Sequence, residues 1–425
     1  MFHLCRAGVK ERLLVSLTEN NTKEKYDISK NSFIIRYAAI AGVVIVAFNL
    51  RAAVAALSPI YSFINHSFPV TARAQGTIGM LPTLSFAACG LVTPKISQRI
   101  GLVTTIILGM TMIIAGSLGR AYLSHSSYGL GLFSIITFCG MGIGNVLIPP
   151  CIKHYFPNSI GKMTALYNVL AAIGAALPSF CAVIVAEHFG WRFSVGLWGM
   201  LAIFSIVPWF ALLQSEHHQG VSVPHQHNYQ PWKWLPAWGT MGVFAGGAAA
   251  MYAFIAWLPT ILINTAGVSA EAAGVMLAVY SLVGLVHNAI VPNLIVKMKN
   301  NVVVILFAAA CIIVGSLGLA YYPKLSWIWI IPAGLGAMNI TIGLTLINIR
   351  SNTEEGTVAL SGFMQSLGYL IGSVGPWLVG ELYNLNKDWI FPLWFIAFIG
   401  IIIAICGFFA TKGGVIEDAQ LKTEI

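Results

Sequence analysis

The residue with the most distinctive chemistry in this sequence is Arg51, which lies near the middle of a long apolar stretch at residues 34–64. A guanidinium group stays protonated and offers a planar set of N–H donors, so it suits a small anion. At the centre of a membrane an arginine costs at least about 2.5–3.5 kcal/mol and needs a wet cavity or a partner. The 14 Asp and Glu residues all lie in tails, in connectors or near the ends of apolar stretches. We therefore expect an anionic ligand to be the partner of Arg51; the alternative is a structural arginine that donates to backbone carbonyls and to hydroxyls such as that of Ser58.

Four further polar side chains are predicted to bind the same ligand. Ser58 lies two turns beyond Arg51 on the same helix face. Tyr167 and Gln365 are separated by 198 residues, at matching positions of an internal repeat, and both are polar in apolar surroundings. Tyr252 is expected to line the second half of the cavity. Each of these residues could instead bond to a neighbouring helix or pack in the core, and both alternatives stay open.

His287 is the one histidine placed well inside an apolar stretch. Its ordinary pKa near 6.5 would let it take up and release a proton near neutral pH. It is therefore the first candidate for coupling to a proton gradient. The alternative is a neutral histidine that bonds to a neighbouring helix.

The composition shows what class of protein contains these residues. Hydrophobic residues make up 57% of the 425 residues and charged residues only 9%, whereas soluble domains carry about 25% charged residues. Disordered, collagen-like and disulfide-rich secreted proteins are excluded, which leaves an integral membrane protein. The net charge of +9 then reflects membrane topology and does not predict a nucleic-acid partner.

Motifs for enzymatic or metal chemistry are missing from the sequence. The seven cysteines show no paired spacing, and the four histidines at 217, 218, 225 and 227 lie in a polar connector. There is no phosphate-binding loop and no nucleophile elbow. We expect no enzyme activity, no metal and no cofactor.

Twelve apolar segments predict an all-α integral membrane protein, because they are long and continuous without the alternation of a barrel strand. The segments are residues 34–64, 71–97, 101–122, 128–151, 160–188, 193–213, 235–265, 270–297, 301–322, 326–349, 357–384 and 389–411. They imply a tail at 1–33, a six-helix half at 34–213, a connector at 214–234, a second half at 235–411 and a tail at 412–425.

Lysine and arginine are more frequent in the connectors on the side of the N-terminus, where the positive-inside rule places the cytoplasm. The opposite connectors are predicted to contain five cations: Arg73, Arg120, Arg192, Lys324 and Lys387. Both termini are thus expected in the cytoplasm, in a multi-pass inner-membrane protein. Its expected partners are a small-molecule substrate and the lipid bilayer, and the expected assembly is a monomer.

An internal repeat relates the two halves at a spacing of 198 residues. Among the positions it pairs are Gly76 with Gly274 and Trp191 with Trp389. Two parallel six-helix halves of this kind typify the major facilitator architecture, in which substrate binds between the halves. Glycine and proline let helices approach and bend. On that ground the predicted gating and hinge residues are Pro59, Gly174, Pro178, Gly368, Gly372 and Pro376.

Several short stretches carry a resemblance to a known family. They are Asn49-Leu50-Arg51 with Ser58-Pro59, the runs Ile152–Pro157 and Gly161–Tyr167, and Ala359–Gly362 with Gln365, Gly368-Tyr369 and Gly375-Pro376. Together they resemble the cyanate permease/nitroimidazole transporter family, a branch of the major facilitator superfamily. One superfamily pattern, Gly-x-x-x-Asp-Arg-x-Gly between helices 2 and 3, is incomplete here, since Arg99 and Gly101 are present without the Asp.

The resemblance implies a secondary transporter for small solutes that works by alternating access. With Arg51 as the binding residue, the expected substrate is a small anion such as cyanate or a carboxylate. One alternative is an exporter of neutral heteroaromatic compounds such as nitroimidazoles. An alternative of another class is a membrane sensor that does not transport.

Overall fold

The computed structural model describes residues 35–216, 229–298 and 300–421. The predicted tail at 1–33, most of the connector and the last four residues lie outside that part of the chain. Twelve long apolar helices are present there, as predicted, and we number them α1 to α12. They span Ile35–Asn65, Ala72–Ile100, Leu102–Leu123, Ser127–Tyr155, Ile160–Phe189, Trp191–Leu213, Leu235–Ala266, Ala270–Lys297, Val302–Tyr321, Pro323–Ile349, Glu355–Asn386 and Ile390–Ala410.

The helix boundaries follow local chemistry. Thr71, Ser126, Ser269 and Thr353 each accept a hydrogen bond from a backbone N–H of the first turn that follows, which satisfies a donor that the helix itself cannot. The faces that point away from the bundle carry large exposed apolar side chains, such as Phe391, Phe398 and Ile405 on α12. This is the surface of a multi-pass integral membrane protein.

The helices form two halves, α1–α6 and α7–α12. Because twelve spans return the chain to its starting side, Ile35 and the short helix Ile416–Leu421 (α13) lie on one side, which we call the tail face. The opposite side, where α1 ends at Asn65, is the far face. The segment that contains α13 is docked against the end of α10, because the backbone N–H of Ile416 donates to the carbonyl of Arg350 at 2.9 Å.

Helix α1 is interrupted at Pro59, inside a short 3-10 turn at Ser58–Ile60. Proline has no N–H, so the carbonyl of Ala55 loses its helical partner and accepts instead from Ser179 of α5 at 3.4 Å. The N–H of Leu57 bonds to Val54, which frees the carbonyl of Ala53 as well. Arg120 of α3 donates to that carbonyl at 3.0 Å.

This placement corrects the assignment of Arg120 to a connector. Its side chain is only 1% exposed, in a π-helical last turn of α3 at Gly119–Leu123. The end of the apolar segment folds back into the bundle because the interruption in α1 offers a backbone acceptor there. The excess of cations in the connectors of the tail face is therefore larger than the sequence suggested.

All three predicted hinge glycines pack against a helix of their own half. A side chain at Gly174 would meet the backbone of Phe48, on α1 of the same half. A Cβ at Gly368 would lie 2.6 Å from Phe244, and one at Gly372 would lie 3.0 Å from Ala248, both on α7. Pro178 lies inside α5 and Pro376 inside α11. The gating role of all these residues and of Pro59 stays a prediction.

The halves meet at the far face along two seams that the internal repeat relates. At the α2–α11 seam a Cβ on Gly76 would lie 3.1 Å from the carbonyl of Pro376. At the α5–α8 seam a Cβ on Gly274 would lie 2.8 Å from the carbonyl of Ser179. Such close backbone approach requires residues without a side chain.

Polar groups reinforce the two seams unequally. Arg73 of α2 forms two hydrogen bonds with the carboxylate of Glu381 of α11, at 2.6 and 3.0 Å. At the other seam the carboxyl groups of Glu187 and Glu271 meet each other. Between the seams, Gln75 donates to the carbonyl of Ala256 at 3.1 Å. The far face is thus closed.

The tail-face part of the bundle is more open. A Cβ at Gly161 of α5 or at Gly362 of α11 would meet no atom within 4 Å. Residues Thr164 to Leu166 of α5 are exposed. The structure is therefore closed at the far face and open towards the tail face.

We predict that Gly76→Val opens the far face. The atoms nearest to the new side chain would be backbone carbonyl oxygens of α11, which cannot move aside as the end of a flexible side chain could. The measurement is the distance between spin labels at His66 and Lys387, on opposite halves, in a background without native cysteines. The distance should lengthen in Gly76→Val and stay unchanged in the matched control Gly161→Val. Equal distances in all three proteins would show that the seam does not depend on this contact.

Candidate functional site

Arg51 occupies the centre of the interface between the halves. Its guanidinium donates a hydrogen bond to the hydroxyl of Tyr252, so α1 of the first half is joined directly to α7 of the second. The guanidinium carbon lies 5.8 Å from the centre of the Tyr252 ring, within the range of a cation–π contact. Arg51 is half-buried.

Two further tyrosines surround the same guanidinium. Tyr167 of α5 and Tyr369 of α11 both interact with Arg51 electrostatically. Tyr167 donates a hydrogen bond at 3.0 Å to the side-chain oxygen of Asn145 on α4, and Tyr369 interacts with the same amide. The cluster of Arg51, Asn145, Tyr167, Tyr252 and Tyr369 therefore draws side chains from both halves. We call it the central cluster.

Aromatic rings enclose the central cluster on one side. The ring of Phe86 on α2 is edge-on to Tyr369 at 5.5 Å and to Tyr252 at 6.3 Å. Phe244 of α7 is edge-on to Tyr369 at 4.9 Å. These contacts hold the phenol rings in place, so their hydroxyl groups need little reorganisation to meet a ligand.

The electrostatics of the central cluster are unbalanced. In the described chain no carboxylate reaches Arg51, since the acidic residues of the helices, such as Glu187, Glu271 and Glu381, lie near their far-face or tail-face ends. Only one N–H of the guanidinium has a protein acceptor in that part of the chain. Because the Tyr252 oxygen accepts from Arg51, its own O–H proton remains available to donate. The arrangement can therefore bind an anion through both a cation and a phenol.

A narrow pocket with a cavity volume of about 20 Å³, room for one or two water molecules, extends from the central cluster towards the far face. We call it the far-face pocket. Its walls are mainly apolar, with three hydroxyl-bearing residues. Among the lining residues are Leu57, Ile78, Phe138 and Ile255, together with Ser58, Tyr61 and Tyr252.

The structure brings together three of the five predicted binding residues, Arg51, Tyr167 and Tyr252. Ser58 lies in the far-face pocket, but its hydroxyl donates at 3.0 Å to the carbonyl of Ala256 on α7. Gln365 donates at 2.7 Å to Ser361 of its own helix. The binding role of each residue stays a prediction.

His287 lies on α8 and is 5% exposed, and neither ring nitrogen has a hydrogen-bond partner in the described residues. The predicted alternative of a histidine bonded to a neighbouring helix is therefore not what the structure shows. Two buried nitrogens without partners are unusual and call for an explanation. The proton-coupling role of His287 is untested and stays a prediction.

Two members of the site were not chosen from the sequence. Tyr369 comes four residues after Gln365, so it lies on the same face of α11 one turn further along. The helical period could have named it as an alternative to Gln365. Asn145 follows a glycine-rich stretch of the kind that favours close helix packing, and in the structure its side chain links Tyr167 to Tyr369.

The family model and the relatives that match this chain all point to the same family. Residues 43–376 match the family model described as the Major Facilitator Superfamily. The chain is 33% identical to an uncharacterized transporter, YycB, of Bacillus subtilis, over 85% of this chain and 90% of that protein.

Two Escherichia coli relatives agree with the branch predicted from the motifs. The 2-nitroimidazole transporter is 28% identical over 89% of this chain and 96% of its own. The cyanate transport protein CynX is 23% identical over 82% of this chain and 91% of its own.

Solved structures show the same fold. A D-xylose–proton symporter superposes with a TM-score of 0.69 at 15% identity, over 90% of this chain and 99% of that chain. A bacterial homologue of the human lysosomal transporter Spinster gives a TM-score of 0.71 at 15% identity, over 89% of this chain and 96% of that chain.

The unpaired charge leads to a prediction about stability. Arg51→Met should leave the protein as stable as the parent or up to about 2 kcal/mol more stable, because removing a half-buried cation from the middle of the membrane relieves more desolvation than one lost hydrogen bond costs. The measurement is thermal unfolding of the purified protein in detergent.

Arg192→Met is the matched control. Its guanidinium donates to the carbonyls of Ala121 at 2.8 Å and Ser124 at 3.1 Å, so its loss should destabilise the protein by about 1–3 kcal/mol. A loss of that size in Arg51→Met would make Arg51 a structural residue instead.

Proposed function

Because this chain belongs to the Major Facilitator Superfamily and is a secondary transporter, we propose that it moves a small anion by alternating access, with Arg51 as the residue that binds it. The observation that carries the proposal is the guanidinium of Arg51, which lies between the halves with no carboxylate partner among the described residues. An anion would supply the missing charge at the point where α1 meets α7. It would therefore draw the two halves together at the centre.

The proposed cycle follows from the two faces of the molecule. With the far face closed by its seams, an anion reaches Arg51 from the tail face. Release on the other side requires the seams to part, and the ion pair of Arg73 with Glu381 is one of the contacts that must break. An exposed pair of this kind is worth about 0–1 kcal/mol, so it adds little to the barrier.

We assign the tail face to the cytoplasm of an inner membrane on the positive-inside rule. Lys95, Arg99, Lys153 and Lys162 all lie towards that face. The same assignment places both termini in the cytoplasm. We further propose that the protein acts as a monomer in the lipid bilayer, since each chain contains both halves of the site.

Cyanate and small carboxylates are the proposed substrates. The second candidate is a neutral nitroimidazole, which the group of aromatic rings beside Arg51 (Phe86, Tyr252 and Tyr369) favours because aromatic surroundings suit a heteroaromatic ring. The 28% identity to a 2-nitroimidazole transporter supports the same candidate. In that case Arg51 would donate to the nitro group, and transport would run outward.

The experiment compares labelled cyanate and labelled 2-nitroimidazole in vesicles that contain the purified protein. We expect Arg51→Ala to reduce cyanate flux by about 10- to 100-fold, the equivalent of one charge-assisted hydrogen bond, and Arg51→Lys to retain part of it. Arg36→Ala, an exposed arginine at the tail-face end of the same helix, is the control and should transport normally.

Comparing the fluxes of the two substrates distinguishes the anion transporter from the nitroimidazole transporter. Cyanate flux that depends on Arg51 supports the anion transporter. Flux of nitroimidazole alone supports the second candidate. Cyanate flux that survives Arg51→Ala undiminished would remove the anion proposal.

Proton coupling through His287 makes a separate prediction. If the unpartnered ring carries the proton, an imposed pH gradient should stimulate flux in the parent and leave flux unchanged in His287→Gln. Glu187→Gln is the comparison variant, since its carboxyl group meets that of Glu271 at the far face, where a proton held by Glu187 can be shared between the two groups. Stimulation that persists in His287→Gln and disappears in Glu187→Gln would move the coupling site to the α5–α8 seam.

A further inference from the structure

The amide of Asn145 joins two tyrosines of the central cluster that belong to different halves. Its oxygen accepts a hydrogen bond from the hydroxyl of Tyr167 at 3.0 Å. Tyr369 forms a side-chain hydrogen bond with the same amide. An amide carries its acceptor on the oxygen and its donors on the nitrogen, so the nitrogen is the group that remains for Tyr369. The three side chains therefore form a chain of hydrogen bonds with a fixed direction.

Buried contacts hold this chain of hydrogen bonds in place. Tyr369 is only 5% exposed, and its ring lies edge-on to Phe86 at 5.5 Å and to Phe244 at 4.9 Å. Asn145 and Tyr167 are half-buried. The buried phenol of Tyr369 thus fixes which way the amide of Asn145 points, and the amide in turn fixes the hydroxyl proton of Tyr167.

The charge of Arg51 favours the same orientation of the Tyr167 hydroxyl. The two side chains interact electrostatically, and a hydroxyl near a cation turns its oxygen towards the charge and its proton away. The lone pairs of the Tyr167 oxygen then lie on the side of the guanidinium. No group in the described part of the chain donates to that oxygen. It is therefore free to accept a hydrogen bond from a ligand beside Arg51.

A ligand at Arg51 consequently meets two kinds of hydrogen-bonding group, both on half-buried side chains. The guanidinium supplies N–H donors for a negatively charged oxygen. Tyr167 supplies an acceptor, which cyanate or an unsubstituted carboxylate cannot use because neither has an O–H or N–H to donate at neutral pH. An anion with a hydroxyl group on the carbon next to its carboxylate can use both groups at once.

We propose that the central cluster selects short 2-hydroxycarboxylates over unsubstituted carboxylates, with the oxygen of Tyr167 accepting from the substrate hydroxyl. The proposal rests on the proposed function and narrows its substrate class. Asn145 acts through Tyr167, because its own oxygen and nitrogen are used by the two tyrosines. It is therefore a positioning residue, which determines that Tyr167 accepts from the ligand and does not donate to it.

The test measures binding of glycolate and of propionate to the purified protein by titration calorimetry at neutral pH. The two anions have the same number of non-hydrogen atoms and differ in one group, a hydroxyl in glycolate and a methyl in propionate. We expect glycolate to bind about three- to tenfold more tightly, the effect of one hydrogen bond. Tyr167→Phe should remove this preference by weakening glycolate alone. Tyr128→Phe, which changes a tyrosine that is 89% exposed at the far-face end of α4, is the control and should keep the preference.

Asn145→Leu tests the positioning role. Without the amide oxygen the hydroxyl of Tyr167 can turn and donate to the ligand, so the preference for glycolate should fall to about twofold or less while propionate binds at least as tightly as before. Equal weakening of both anions would show that Asn145 has only a structural role and would contradict the positioning role. If Asn145→Leu does not fold, Tyr167→Phe still decides whether Tyr167 is the acceptor.

The outcomes distinguish this selectivity from the proposed function. If glycolate binds no more tightly than propionate and both depend on Arg51, the selectivity is wrong and the anion transporter stands. A preference for glycolate that persists in Tyr167→Phe contradicts the selectivity as well. If cyanate binds and neither carboxylate does, the substrate class is wrong. If none of the three anions binds to the parent protein or moves through it, the proposed function itself fails.

Discussion

The structure depends on a positive charge that no carboxylate in the described part of the chain neutralises. Arg51 reaches across the interface to a phenol oxygen, an acceptor without formal charge, and the acidic side chains of the described helices lie near the helix ends. A charge in that position is costly in a closed apolar interior. The halves can therefore meet at the centre only if water or an anion remains beside Arg51. That condition links closure of the halves to occupancy of the site.

The interruption of α1 joins this site to the fold. Pro59 releases the carbonyls around it, and Arg120 and Ser179 satisfy two of them from α3 and α5. Ser58 and Tyr61, which lie in or next to the same interruption, line the far-face pocket. One proline thus creates a structural need for Arg120 and also places that charge next to the pocket. The stability of the first half and the chemistry of the pocket therefore depend on the same residue.

Much of the fold could be predicted because the length of an apolar segment is enough to identify a membrane helix. In addition, an internal repeat predicts that equivalent positions of the two halves make equivalent packing contacts. Gly76 and Gly274, paired by their spacing, lie at the two far-face seams. Arg51 could be chosen because it stands inside an apolar stretch. Arg120 could not, since a cation near the end of such a stretch looks the same whether it faces a connector or the bundle. The choice between Gln365 and Tyr369 depends on the rotation of α11, which spacing does not determine.

The far-face pocket and the far-face closure depend on the same contacts. Ser58 and Gln75, from the first half, both donate to the carbonyl of Ala256 in the second half, and Ser58 and Ala256 also line the pocket. When the halves part at this face, these hydrogen bonds must be exchanged for bonds to water. The same movement separates Tyr61 from Tyr252, because they belong to different halves. The pocket between these two phenols can therefore exist only while the far face is closed, and opening that face must expose its apolar walls to water.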